Sequence, residues 1–310
     1  MLSGAGVDAS DRVFIGLPLT WSVGWDAYSA QLAFGALTFA SDQPSADEVA
    51  EFAPTVLVST VTDALRLARE TVVAGNDPLD GQVRLAIVTG EPGGSLEATR
   101  RSIEAHWGAT CLDVYALTEL GVIGWGCEQR RDGIHLDDRQ LELTVLEPET
   151  DRAVTNGELG ELVLSTPTDW DSPLERFRTG DLVCLRQDVC DCGRGSAWAE
   201  GGVLGRVNDR LSVRGQMILP SSIEQVVRRH PAVIDFALRT YSVRGECAVT
   251  VELETTDAMA TEADRSRVAA EVGEDLRRTI GLRFPCEIVA PGAISATHMP
   301  GRPARRIAAQ

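Results

Sequence analysis

The sequence predicts an α/β domain with a β-rich lobe, followed by a small α+β domain. In the first half, short apolar or β-branched runs alternate with amphipathic stretches, as strands and helices do in a parallel layer. After Tyr115 the pattern changes to short alternating segments separated by turns, which predict antiparallel strands. A third pattern begins near Gly205, where short strands and a helix precede a long helix. We therefore predict one domain over residues 1–205 and a second over residues 206–310.

A glycine-rich turn stands out in the first region. Residues 90–94 follow a predicted strand and precede a helix that we expect from Ser95 to about Trp107. A strand, a glycine-rich turn and a helix in this order favour a ligand-binding crevice at the carboxyl end of the strand. In this region we predict strands at residues 13–19, 55–59 and 85–89, and a helix at residues 61–74.

The later regions follow other patterns. In the β-rich lobe, the predicted strands are separated by residues that favour turns. These strands are residues 133–136, 142–146 and 161–165. In the C-terminal region we predict strands at residues 211–214, 236–240 and 248–254, and helices after Pro220 and at residues 261–279.

The chain is strongly acidic. Its 310 residues include 29 basic and 46 acidic ones, a net charge of −17, and every basic residue is arginine. Because an acidic chain repels polyanions, we expect neither nucleic acid nor an anionic membrane as a partner. Since these residues include no lysine, neither a Schiff base nor a lysine contact to phosphate is available.

Targeting signals and disulfides are not expected. No apolar run reaches about 18 residues, and residues 1–12 are small and acidic, which argues against a membrane span and a signal peptide. The seven cysteines are odd in number and scattered along the chain. This usage is typical of reduced thiols and predicts a cytoplasmic protein.

Seven short motifs occur in a fixed order. They are residues 89–92 (TGEP), 113–119 (DVYALTE), 157–163 (GELGELV), 176–181 (RFRTGD), 190–194 (CDCGR), 205–210 (GRVNDR) and 214–224, from Arg-Gly to Ile-Glu. Each motif is weak alone, but the ordered set resembles the phenylacetate–CoA ligase branch of the adenylate-forming superfamily. The resemblance covers the chain from about residue 10 and implies the adenylate-forming fold, a large α/β domain with a β-rich lobe followed by a C-terminal lid.

The resemblance also implies a nucleotide site. Gly90, Glu91 and Pro92 resemble the loop beside the adenine, and Tyr115 resembles the residue that packs on the adenine ring. AMP or a CoA thioester is the ligand that this likeness implies.

Further roles follow from the same motifs. Asp181 matches the carboxylate that binds the ribose hydroxyls, and Arg206 matches a second ribose contact. Thr118 and Glu119 match the catalytic positions that hold Mg²⁺ and the α-phosphate. A short carboxylate can accept both ribose hydroxyls, and oxygen ligands suit Mg²⁺.

Some family features are missing or altered. The resemblance places the interdomain hinge at Asp209 and the lining of the pantetheine tunnel at Gly215. No phosphate loop is recognisable, so we expect the family fold in truncated form. The tail has Arg302 or Arg305 near the position of the family's catalytic lysine, and Ala116 stands where glycine is usual. These departures argue against adenylation and against a bound Mg²⁺.

Four residues predict a metal site. Cys127 and His135 lie on either side of a predicted turn, and Cys190 and Cys192 come later in the chain. Thiolates with an imidazole are a ligand set for tetrahedral zinc, and parts of the resembled family have similar positions. We predict a structural zinc ion. Free thiols remain the alternative, since Cys-x-Cys is less specific than Cys-x-x-Cys.

An aromatic cluster is a candidate for the acyl pocket. Trp21, Trp25 and Tyr28 lie in a segment that the resemblance places near the substrate wall. The alternative is one face of a helix that packs in the core.

Three functions compete. We favour an enzyme that handles an acyl or aryl thioester in a biosynthetic pathway, by acyl transfer, condensation or hydrolysis, without ATP-dependent adenylation. The alternatives are one subunit of a split CoA ligase, whose partner supplies the phosphate loop, and a non-catalytic binding or regulatory protein. The expected partners are a small acyl or aryl substrate, a carrier protein or N-terminal ligase fragment, and a second copy in a homodimer.

Overall fold

The computed structural model describes residues 5–193, 197–243, 246–256, 261–294 and 307–309. Its chain forms two compact units, residues 1–207 and residues 208–310. Arg302 and Arg305 lie outside the described residues. Among the helices of the described ranges, none combines the length and the apolar character needed to cross a membrane.

The first half of unit one is a parallel α/β layer. Its apolar runs form buried strands, and amphipathic segments between them form the connecting helices. The strands are β1 (Arg12–Gly16), β2 (Leu37–Ala40), β3 (Val56–Ser59), β4 (Leu85–Thr89) and β5 (Thr110–Leu117). The helices are α1 (Ser22–Phe34), α2 (Ala46–Phe52), α3 (Val61–Val73) and α4 (Glu97–Trp107).

The remaining strands of unit one are antiparallel to their neighbours. They are β6 (Gly121–Trp125), β7 (Gly133–Leu136), β8 (Glu142–Leu146), β9 (Leu159–Ser165), β10 (Phe177–Gln187) and β11 (Ala197–Arg206). Within the described residues all eleven strands form one sheet, in the order β2-β1-β3-β4-β5-β6-β7-β11-β10-β9-β8. Strand β5 is parallel to β4 and antiparallel to β6, so the sheet changes character at β5.

Side-chain alternation puts apolar residues on both faces of the parallel layer. Leu57 and Val88 pack in one buried cluster with residues of α3 and α4, whereas Val58 and Ile87 pack in another with residues of α1. The indole Nε1–H of Trp107 on α4 donates to the Ala64 carbonyl on α3 at 2.9 Å. This bond joins the two helices that cover one face of the sheet.

Unit two is a small α+β unit. It contains β12 (Leu211–Val213), β13 (Gln216–Ile218), α5 (Pro220–Val227), β14 (Val233–Val243), β15 (Glu246–Thr255), α6 (Glu262–Ile280), β16 (Cys286–Val289) and β17 (Ile307–Ala309). In the described residues β12 and β13 form a hairpin, and the other four strands form a sheet in the order β16-β15-β14-β17. Residues of α5 and α6 share a buried core with Phe236 and Val251 of this sheet.

The predicted fold class is confirmed, with differences at element boundaries. The helix predicted from Ser95 begins at Glu97, since Ser95 turns its hydroxyl to the Asp113 carboxylate at 2.7 Å. The first strand ends at Gly16, before the imide of Pro18, which has no N–H to donate to a sheet. Helix α1 is largely apolar around its circumference and gives no helical period in the sequence.

We predict that Leu67→Ala lowers the free energy of unfolding of unit one by about 2–5 kcal/mol. Leu67 lies on α3 and is 0% exposed, so the truncation leaves a cavity in the core. Denaturant unfolding measures the change. The matched control is Val73→Ala on the same helix, where the side chain is 88% exposed and we expect a change within about 0.5 kcal/mol. Equal effects of the two variants would contradict this packing.

Candidate functional site

A cavity of about 80 Å³ opens where β4 and β5 end and the antiparallel strands begin. Its wall combines a loop, the strand β5 and residues from three antiparallel strands. The lining residues are Gly90, Glu91, Pro92, Asp113, Val114, Tyr115, Ala116, Ile134, Asp181, Val203 and Arg206. The structure thus brings together the six residues that the sequence assigned to adenine and ribose, although they span more than a hundred positions. We call this cavity the nucleotide cavity.

A network of two buried side chains and one exposed arginine lies at the cavity wall. The hydroxyl of Tyr115 donates to Asp181 Oδ2 at 2.7 Å, and Arg206 Nε lies 3.2 Å from Asp181 Oδ1. Asp181 and Arg206 face each other as register partners on β10 and β11. Burial and the Asp181 carboxylate both raise the pKa of Tyr115, so its hydroxyl keeps the proton that it donates. The carboxylate is therefore oriented at the cavity wall before any ligand arrives.

The loop after β4 forms the opposite wall. Gly90 has a left-handed φ of 83°, and a Cβ at that position would lie 3.3 Å from the ring of Trp21. The carboxylate of Glu91 accepts a hydrogen bond from the backbone N–H of Thr62, in the first turn of α3. The loop therefore lies beside Trp21, the residue that precedes α1, and is hydrogen-bonded to the start of α3.

Asp113 lines the cavity as well, and the sequence analysis did not assign it a role. Its carboxylate accepts the Ser95 hydroxyl, and burial raises its pKa to about 6. Three glycines leave room for it: a Cβ at Gly94, Gly126 or Gly202 would come within 2.7, 3.1 and 2.8 Å of Asp113 atoms. The signal that could have found it is an acidic residue inside an otherwise apolar strand.

Other predicted site residues lie elsewhere. Thr118 and Glu119 are exposed in the turn between β5 and β6 and do not line the cavity. Trp25 is 55% exposed on α1, where its ring packs against Tyr28 at 6.0 Å between centroids. This exposure makes the alternative of a core-facing aromatic helix face wrong for Trp25.

Two predicted residues belong to unit two. Asp209 lies in a short 3₁₀ turn at residues 207–209, next to the boundary between the two units. Gly215, with a φ of 76°, is at the tip of the β12–β13 hairpin. The positive φ explains why a glycine suits this tip. Their predicted roles as hinge and tunnel lining stay predictions.

The four predicted metal ligands meet in space. One ligand atom from each of Cys127, His135, Cys190 and Cys192 lies within 4.8 Å of the other three. Sγ of Cys127 is 3.8 Å from Sγ of Cys190, and Sγ of Cys192 is 3.3 Å from Nε2 of His135. Tetrahedral zinc with bonds of about 2.0–2.3 Å needs ligand separations of about 3.3–3.8 Å. The donor set and these two separations therefore suit a zinc ion.

The thiol cluster and the nucleotide cavity share strands. On β7, Ile134 lines the cavity and the next residue, His135, joins the cluster. On β11, Trp198 packs edge-on against His135 at 4.8 Å, while Arg206 at the other end of the strand reaches Asp181. Arg130 covers the Trp198 ring at 4.4 Å. A second cavity, of about 160 Å³, borders Cys127 and Cys192.

Comparison with known proteins identifies the relatives of the chain. A phenylacetate-coenzyme A ligase from Thermus thermophilus is 29% identical over 254 residues, which are 81% of this chain and 52% of the relative. Another from Pseudomonas putida is 28% identical over 251 residues, 79% of this chain and 56% of the relative. The chain is therefore similar to phenylacetate–CoA ligases. It spans about half the length of the curated relatives it matches.

Solved structures share its fold. A 2-hydroxyisobutyryl-CoA ligase in the postadenylation state, in complex with R3-HIB-AMP, matches with a TM-score of 0.89 and 22% identity over 100% of this chain and 67% of that chain. A benzoate CoA ligase from Burkholderia xenovorans LB400 matches with a TM-score of 0.69 and 20% identity, over 92% and 59%. No protein-family model matches the chain. The likeness to these structures establishes the adenylate-forming fold.

We predict that Asp113 makes stability depend on pH. The folded state holds its proton up to pH about 6, whereas the unfolded chain, with a pKa near 3.8, releases it earlier. Folding therefore binds a proton between these values, and stability falls as the pH rises through this window. Relative to Asp113→Asn, the wild type should lose up to about 3 kcal/mol, less where cavity water solvates the carboxylate. Denaturant unfolding at pH 4, 5, 6 and 7 measures this difference, and a constant difference would contradict the prediction.

Proposed function

We propose that these residues bind AMP or an acyl adenylate in the nucleotide cavity and act on an acyl or aryl thioester. The observation that carries the proposal is the convergence of Tyr115, Asp181 and Arg206 on one cavity. A short carboxylate held by a phenol and a guanidinium suits a pair of vicinal hydroxyls, which can donate to it. The R3-HIB-AMP complex of the solved 2-hydroxyisobutyryl-CoA ligase supports an adenylate as the ligand.

We further propose that the chain does not drive adenylation by itself. Phosphoryl chemistry depends on positioned charge around the phosphates, and these 310 residues contain no lysine to supply it. Arginine presents a planar fork instead of a compact ammonium, so it does not replace lysine geometrically. The remaining chemistry is acyl transfer, condensation or hydrolysis of a thioester in a biosynthetic pathway. The acyl side of the site would begin at Trp21, whose ring lies 3.3 Å from where a Cβ on Gly90 would be.

We expect AMP binding without pyrophosphate–ATP exchange. Calorimetry should detect binding of AMP. Asp181→Asn or Arg206→Gln should each raise the Kd of AMP about tenfold or more, because a charged hydrogen-bonding group is lost. Arg152→Gln is the control, since Arg152 pairs with Glu147 on an exposed turn. Robust acid-dependent exchange by the chain alone would contradict the loss of adenylation. Exchange that requires an added N-terminal ligase fragment would favour the split enzyme.

We also propose a structural zinc ion at Cys127, His135, Cys190 and Cys192. The ion would hold the loop after β10 against β7 and would supply cross-linking to the fold, not a step of the reaction. Homodimer formation and a carrier-protein partner stay predictions.

Purified protein should contain about one zinc per chain by elemental analysis. Cys192→Ser should lower both the zinc content and the melting temperature, because the remaining ligands no longer complete a tetrahedral site. Cys184→Ser is the matched control, since Cys184 lies on β10 outside the cluster. Metal-free protein with an unchanged melting temperature would rule the site out.

A further inference from the structure

Residues 90–95 form a loop of turns and bends, with neither helix nor strand, and residues 90–92 form one wall of the nucleotide cavity. Gly90, Glu91 and Pro92 all line the cavity, so the position of their backbone sets its shape. A loop of this kind keeps a defined position only where side chains or neighbouring elements hold it. The two ends of the loop are held differently.

The C-terminal end of the loop is fixed by packing. Ser95 is buried and donates its hydroxyl to Asp113. Gly94 has no room for a side chain, since a Cβ there would lie 2.6 Å from Val88 and 2.7 Å from Asp113. The backbone at this end is therefore pressed against β4 and β5 and cannot shift without a clash.

At the N-terminal end, the Glu91 carboxylate bonds the loop to α3. Glu91 accepts a hydrogen bond from the backbone N–H of Thr62, 29 positions earlier in the chain. Thr62 is the second residue of α3, and the first N–H groups of a helix have no acceptor inside the helix. The partial positive charge at the start of α3 also favours a carboxylate there. Each partner therefore satisfies the other, and the bond ties the cavity loop to a buried helix.

We infer that Glu91 is a positioning residue, which fastens the loop to α3 and so sets the nucleotide cavity through Gly90 and Pro92. It acts through Thr62 and does not itself bind the nucleotide. This inference deepens the proposed function and rests on it for its ligand. It differs from the role implied by the resemblance, in which Glu91 simply lies beside the adenine.

The test compares three variants of the full chain. Glu91→Ala removes the acceptor, Glu91→Gln keeps a carbonyl oxygen that can still accept from Thr62, and Glu70→Ala is the matched control. Glu70 also lies on α3, where its carboxylate pairs with Arg66 at 2.7 Å, away from the loop. Two measurements are made on each protein: backbone hydrogen exchange by mass spectrometry, and the Kd of AMP by calorimetry.

In Glu91→Ala we expect exchange to quicken about tenfold or more at residues 60–64 and 90–93, since the contact that protects them is lost. The Kd of AMP should rise about fivefold or more. Glu91→Gln should recover most of both properties because its amide oxygen replaces the acceptor. Glu70→Ala should leave the loop's exchange and the Kd at their wild-type values, whatever it does to the melting temperature.

Three results would overturn the inference. One is unchanged exchange at the loop in Glu91→Ala, and another is faster exchange with an unchanged Kd. The third is a Glu91→Gln protein with wild-type exchange but the weak binding of Glu91→Ala, which would assign the carboxylate to the nucleotide itself. If the wild type binds no AMP, the proposed function fails, and the exchange data alone then support or overturn the fastening of the loop.

Discussion

Strand β5 is the constraint on which the rest of unit one depends, because it is shared by two kinds of sheet. On one side it pairs in parallel with β4, and on the other it pairs antiparallel with β6. A parallel strand needs a crossover connection, whereas an antiparallel one can follow a tight turn, so the connections change here too. The site forms where the two architectures meet, and β5 supplies Asp113, Tyr115 and Ala116 to it.

The cavity has an unfavourable contribution to the free energy of folding, because it removes two carboxylates from most of their contact with water. Asp181 is 3% exposed, and an isolated buried carboxylate would be strongly unfavourable. Tyr115 and Arg206 offset that cost by hydrogen bonding and charge. For Asp113 the cost is lowered in another way. Burial raises its pKa to about 6, and the Ser95 hydroxyl donates a hydrogen bond to its carboxylate. The two carboxylates thus lie in one cavity with different hydrogen-bond partners.

The cluster of Cys127, His135, Cys190 and Cys192 lies beside two strands that also border the cavity. His135 is on β7 and Trp198 on β11, and both strands continue into the cavity wall at Ile134 and Val203. These strands are also hydrogen-bonded partners, with Trp198 opposite His135. The cluster and the cavity are therefore separate sites that border the same two strands.

Much of the fold could be predicted from the sequence, and so could six of the residues that line the cavity. The spacing of apolar residues predicted strands β3 and β4 and helix α3 to within a residue or so at each end. It did so because local side-chain patterns reflect which face is buried. Ordered motifs named Tyr115, Asp181 and Arg206, whose chemistry is local to each residue. The period failed for α1, which is apolar on most sides and therefore carries no one-sided stripe.

What the sequence by itself determined is the order of the elements and the chemistry of the groups they carry. Only the tertiary structure decided which of these groups come into contact and that burial raises the pKa of Asp113. Three contacts join residues that are distant in the chain: Glu91 with the start of α3, Ser95 with Asp113, and Cys127 with Cys190. Such contacts arise from sheet order and packing, and both depend on interactions summed over the whole unit, so no local pattern encodes them.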